Sequence, residues 1–150
     1  MASGVELWST RQYRFFMELF QWFFIALSVL PFKILEISYL LNPENSDDQA
    51  IGDFLILLKE NIKADAIIHF SSDSVDRSAA STDLIKHARD LTISAGFKYA
   101  YTGGINSPAT ESTYCANGAM ALERQNYFLI KNNLDNGRCA DGTAIPGVWK

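Results

Sequence analysis

The chain has 150 residues, 48% of them hydrophobic and 13% aromatic, with a formal net charge of −4. That length is one ordinary domain able to bury a core, and that composition excludes general disorder. An acidic balance without any Lys/Arg run excludes nucleic acid as a main partner, because phosphate binding needs a concentrated basic surface. Its two cysteines are too few for a disulfide scaffold. They fit free or metal-bound thiols in a reducing, cytoplasmic setting, with one disulfide in an oxidising compartment as the alternative.

Taken in chain order, residues 1–32 hold an apolar run from Leu19 to Phe32 that follows Arg11 and Arg14. A membrane span needs roughly 20 apolar residues, and Glu18, Gln21, Pro31 and Lys33 keep this run shorter. A buried amphipathic helix is the favoured reading. The alternative is a signal or membrane anchor within residues 15–32, in a membrane-associated or exported protein.

Residues 33–104 read as an α/β segment. Lys33 to Leu41 has the β-branched and aromatic content of a buried strand, and Asn42-Pro43-Glu44-Asn45 is a loop. Ser46 with Gln49 forms a capping-box signature. Behind it Ile51, Phe54, Leu55, Leu58 and Ile62 recur at helical spacing, which predicts one buried face. Ala66 to Phe70 is a second strand. Ser81 or Thr82 is expected to cap a second helix, with Leu84, Ala88, Leu91 and Ala95 turned inward and Gly96 as its stop. Phe97 to Thr102 is a third strand, ended by Gly103-Gly104. Alternating strands and helices predict a parallel sheet with helices packed on it.

Residues 105–150 break this pattern, and only Tyr127 to Ile130 looks like a further strand. The region instead carries two matching turns, Cys115-Ala116-Asn117-Gly118 and Cys139-Ala140-Asp141-Gly142. Each looks like half of a zinc knuckle, C-x-x-C-G, that has lost one residue and its second thiol. Four thiolates can close a structural zinc site, and two cannot do so alone.

Several stretches, in order, resemble one family. Leu35-Glu36-Ile37 and Pro43-Glu44-Asn45-Ser46-Asp47 come first, then His69-Phe70-Ser71 and Ala95-Gly96-Phe97-Lys98-Tyr99-Ala100-Tyr101-Thr102-Gly103. Thr113-Tyr114-Cys115, Leu122-Glu123-Arg124, Asn132-Asn133-Leu134, Gly137-Arg138-Cys139 and Ile145-Pro146-Gly147-Val148-Trp149 complete the set. Their order and spacing resemble the C-terminal part of radical SAM enzymes related to pyruvate-formate-lyase activating enzymes, in the branch called the AmmeMemoRadiSam system radical SAM enzyme. The resemblance implies part of a (β/α) barrel with an irregular C-terminal extension. It also implies a parental reaction in which S-adenosylmethionine is cleaved reductively to a 5′-deoxyadenosyl radical at a [4Fe-4S] cluster. The family's cluster loop, C-x-x-x-C-x-x-C, is absent from these 150 residues, as is the Arg-Phe that follows its H-x-S strand end.

The expected function is therefore that of a truncated radical SAM-family polypeptide that does not catalyse alone and carries no cofactor by itself. One alternative is a binding or scaffold module that completes a barrel with a separate cluster-binding chain or with family partner proteins. The other is a membrane-associated protein anchored by its apolar N-terminus. His69 and Ser71 are the candidate cofactor-binding residues, at the C-terminal end of a parallel strand where α/β folds place ligands. Cys115 and Cys139 are the candidate metal ligands, with zinc as the metal. No nucleophile arrangement stands out, and Gly103-Gly104 lacks the spacing of a phosphate loop. His87 is expected in solvent, and Trp149 is expected to cover an apolar gap.

Overall fold

A computed structural model describes residues 35–62, 66–72, 79–147 and 149. The apolar run within residues 15–32 lies outside them. Among the described residues no helix is long and apolar enough to cross a membrane.

Three strands, β1 (Leu35–Leu41), β2 (Ala66–Ser72) and β3 (Tyr99–Thr102), form a sheet in that order. Both pairings are parallel, with Ile37 opposite Ile68, Ser38 opposite His69 and His69 opposite Tyr101. Parallel neighbours need crossovers, and helices α1 (Asp48–Asn61) and α2 (Ala79–Ser94) supply them. Side chains alternate along each strand. Ile37, Leu41, Ile68 and Phe70 therefore meet Ile51, Leu55 and Leu58 of α1 and Ile85 and Ala88 of α2 in one core. Glu36, Ile67, His69, Tyr99 and Tyr101 fall on the opposite face.

The predicted face of α1 is observed, with Ile51 and Leu58 fully buried. Phe54 is half-buried and packs on Tyr39 with ring centroids 4.6 Å apart. The cap is displaced by one residue from the expectation. Asp47, not Ser46, stands in extended conformation before the helix and accepts from Ala50 N at 2.7 Å, while Gln49 turns to Asp53. A carboxylate at this position also meets the positive end of the helix. The second helix begins at Ala79, so Ser81 and Thr82 lie inside it and do not cap it. Gly96 ends it as expected: its φ is +95°, its N–H bonds Ile93 O and the Phe97 N–H bonds Thr92 O. These paired reverse bonds need a left-handed residue that glycine adopts without steric cost.

The C-terminal extension is more regular than its composition suggests. After a short helix α3 (Pro108–Glu111), strands β4 (Thr113–Tyr114), β5 (Met120–Gln125) and β6 (Phe128–Asn132) form an antiparallel sheet in chain order. This ribbon lies against the sheet face that the helices leave open. Its contact is a second cluster built from Tyr99, Cys115, Ala121, Cys139 and Ile145, with Ile67, Tyr101 and Trp149 at its margin. The molecule is thus mixed α/β. Among the described residues the parallel sheet holds three strands and shows no closure, so the expectation of a partial barrel is met only at the level of its parallel strands and covering helices.

Candidate functional site

Where the ribbon meets the sheet it leaves a cleft of about 290 Å³. One wall is the helix-free sheet face, with Glu36, Ile67, His69, Tyr99 and Tyr101; the other is the ribbon and tail, with Thr113, Arg124, Tyr127, Ile145 and Trp149. The strand register creates the polar part of the first wall. Glu36 and His69 lie on adjacent strands facing the same way, and His69 stands beside Tyr101 with ring centroids 5.4 Å apart.

His69 Nε2 is 2.8 Å from Glu36 Oε1 and is shielded from solvent. The carboxylate lies off the donor direction of the ring, so the contact is a close polar approach and not a well-angled hydrogen bond. Burial holds the imidazole below its ordinary value of 6.5; Glu36 opposes that, and the Arg124 cation adds to it. The ring is neutral at neutral pH, able to accept a proton from a ligand in the cleft. Burial likewise pushes the Tyr101 hydroxyl above its ordinary value, against the pull of Thr113 and Arg124. Thr113 Oγ1 lies 2.8 Å from the Tyr101 hydroxyl and accepts from Arg124 Nη1 at 2.8 Å. The guanidinium carbon stands 5.7 Å from the Tyr101 ring centroid, within cation–π range. Glu111, almost fully buried, accepts from the backbone N–H of Ser107 at 2.8 Å and of Tyr127 at 3.4 Å.

At the base of the ribbon the two cysteines form the disulfide that the sequence left open as the alternative to free or metal-bound thiols. Cys115 and Cys139 are joined, with Cα atoms 6.0 Å apart. A sulfur in a disulfide is not a thiolate, so in this oxidised state neither cysteine can ligate a metal. Among the described residues no group of three or more His, Cys, Asp or Glu side chains could hold a metal ion. The match between the two turns does hold in three dimensions. The Gly118 N–H bonds Cys115 O and the Gly142 N–H bonds Cys139 O, each at 2.9 Å. Asn117 Oδ1 takes the Ala119 N–H, and Asp141 Oδ1 takes the Thr143 N–H. Both glycines have positive φ, +81° and +86°. The disulfide thus joins two like turns at equivalent positions. A closed disulfide is the form that an oxidising compartment favours.

Of the expected site residues, His69 lines the cleft, and Ser71, further along β2 and opposite Leu40, does not. His87 is exposed and meets Asp48 at 2.8 Å, linking the two helices. Trp149 covers an apolar gap as expected, with its Nε1–H donated to Ile145 O at 3.0 Å. Its indole fills the space that side chains at Gly137 and Gly147 would need. Glu36, Tyr101 and Arg124 were not singled out from sequence as site residues. Glu36 carried a local signal, the one charge on a mostly apolar strand, but no local pattern marks a residue that meets its partners only when ribbon and sheet come together.

No protein-family model matches the chain, and no solved structure matches it. It is similar to an uncharacterized protein of Methanocaldococcus jannaschii, 28% identical over 116 residues, an alignment covering 70% of this chain and 34% of that protein. The chain therefore spans about a third of the length of the curated relative it matches.

Proposed function

We propose that this chain is the C-terminal portion of a radical SAM-type barrel and does not catalyse alone. The observation that carries this reading is the division of the sheet's two faces. Both helices cover one face of three consecutive parallel strands. Glu36, His69 and Tyr101 project from the other, which in a barrel is the interior, although His69 stands at the middle of its strand and not at the C-terminal end expected from sequence. The likeness to about a third of a longer archaeal protein agrees with a part of a larger architecture.

The iron–sulfur cluster of that family does not fit the residues present. Its ligation needs three thiolates from one loop, and both cysteines of this chain are consumed in a disulfide 24 residues apart in sequence. In this reading the cluster comes from polypeptide outside these 150 residues, which would pair with the sheet edges left free among the described residues. Polypeptide that carries the cluster loop, rather than a membrane or nucleic acid, is thus what this reading requires.

The test is anaerobic co-expression with the product of an upstream reading frame that carries a C-x-x-x-C-x-x-C loop. The expected result is a co-purifying complex that binds iron and sulfide and forms 5′-deoxyadenosine, neither of which this chain does by itself. Cluster assembly on the isolated chain, or failure of the two products to associate, would overturn the proposal.

A further inference from the structure

Arg124 is a half-buried cation whose surroundings do not neutralise it. Among the described residues the basic side chains that approach a carboxylate within ion-pair distance are His69 (Glu36), His87 (Asp48) and Arg89 (Asp90). Arg124 has no such carboxylate partner there. Its acceptors are two neutral hydroxyls, Thr113 Oγ1 and that of Tyr101. A guanidinium carries five N–H donors in a planar fork, and withdrawing it from water without a counter-charge is unfavourable. The two carboxylates that line the same cleft are already engaged: Glu36 faces His69, and Glu111 is held by two backbone N–H groups. The positive field of Arg124 also reaches across the cleft, pulling both His69 and Tyr101 downward in pKa.

We infer that the cleft binds a small organic carboxylate, anchored by Arg124 and seated against the apolar surface of Trp149, Ile145, Leu122 and Ile67. The chemistry on the walls selects this class. A planar fork matches a carboxylate through two parallel hydrogen bonds. A single cation among aromatic and aliphatic side chains suits one charge on an apolar body better than a multiply charged phosphate. The volume of about 290 Å³ lies at the lower end of ligand pockets, which limits the occupant to a small molecule. This inference does not depend on the barrel reading, because every wall of the cleft belongs to this chain.

The experiment is an amide-resolved NMR titration of the full oxidised chain with benzoate, benzamide and inorganic phosphate in parallel. Benzoate should shift the amides of Tyr101, Thr113 and Arg124 in a saturable way. Benzamide, the same shape without the charge, should bind about tenfold more weakly or worse, the loss expected for one charge-assisted contact. Arg124→Gln should bring benzoate down to the level of benzamide while the remaining spectrum keeps its dispersion. The comparison of the two ligands on the unaltered chain stands even if that variant fails to fold. Equal binding of benzoate and benzamide, tighter binding of phosphate, or saturable shifts confined to residues away from the cleft would overturn the inference, as would no saturable binding at all.

Discussion

In the layer of β1 to β3 with α1 and α2, Phe70, Ile68, Ile51 and Leu58 are completely buried. In the ribbon, every residue of β6 from Phe128 to Asn132 is exposed, and Phe128 keeps 73% of its surface. The first region is held by burial of apolar area, worth about 1.5–3 kcal/mol for each large side chain. The second has little apolar area to bury beyond its contact with the sheet. It is held by antiparallel pairing, by two hydrogen-bonded turns and by one covalent link between them. The contrast teaches that a segment too small for its own core can be ordered by a cross-link, whether metal or disulfide, provided that its turns present the two sulfurs to each other.

The largest break in that comparison should come from Phe70→Ala. Phe70 lies in the middle strand between two helices, and its loss leaves a cavity worth about 3–5 kcal/mol. Chemical denaturation should show both regions melting together at lower denaturant, because among the described residues the ribbon packs on that sheet. A smaller and more local effect is expected of Gly137→Ala. Gly137 has φ +77° and the Trp149 indole occupies the space a β-carbon would take. Left-handed strain of about 1–3 kcal/mol should fall on the ribbon, read as a loosened Trp149 with the sheet's far-UV signal retained. Asp47→Ala removes the α1 cap and should cost about 1 kcal/mol, read as a lower thermal midpoint without any change in the ribbon.

The smallest effect is a pH dependence. The folded state holds His69 below its unfolded value, so in the window just below 6.5 the unfolded chain binds more protons than the folded one. Stability then rises as pH increases through that window and falls as pH drops through it. Thermal midpoints measured across the window should show this slope, and His69→Gln should flatten it.

How far the two regions could be read from sequence differs for the same physical reason. The spacing of Ile51, Leu55 and Leu58, the apolar run at Ala66 to Phe70 and the stop at Gly96 are local consequences of burial, and each is found where expected. The cap moved from Ser46 to Asp47 because several adjacent residues could accept the same N–H. Ile85 and Thr92 on α2 were missed as buried residues because the second helix was placed from Ser81 onward and phased on Leu84. In the ribbon, β5 was missed because Met120 to Gln125 mixes charge and apolar residues without alternation, its two faces meeting different surroundings. The two cysteine turns were recognised as equivalent, but local sequence does not distinguish a metal from a disulfide between them. The pairing of Glu36 with His69, and of Arg124 with Tyr101, comes from tertiary assembly and left no local pattern.

The disulfide is expected to order the ribbon, and burial of apolar side chains to order the parallel layer without it. Hydrogen exchange with mass spectrometry on the oxidised chain, and on the chain reduced and alkylated at Cys115 and Cys139, tests it most directly. Closing a loop of this length is worth roughly 3 kcal/mol on a chain-entropy account. Reduction should strip protection from β4, β5 and β6 while β1, β2 and β3 keep theirs. Equal loss of protection in both regions, or no change in the ribbon, would contradict it.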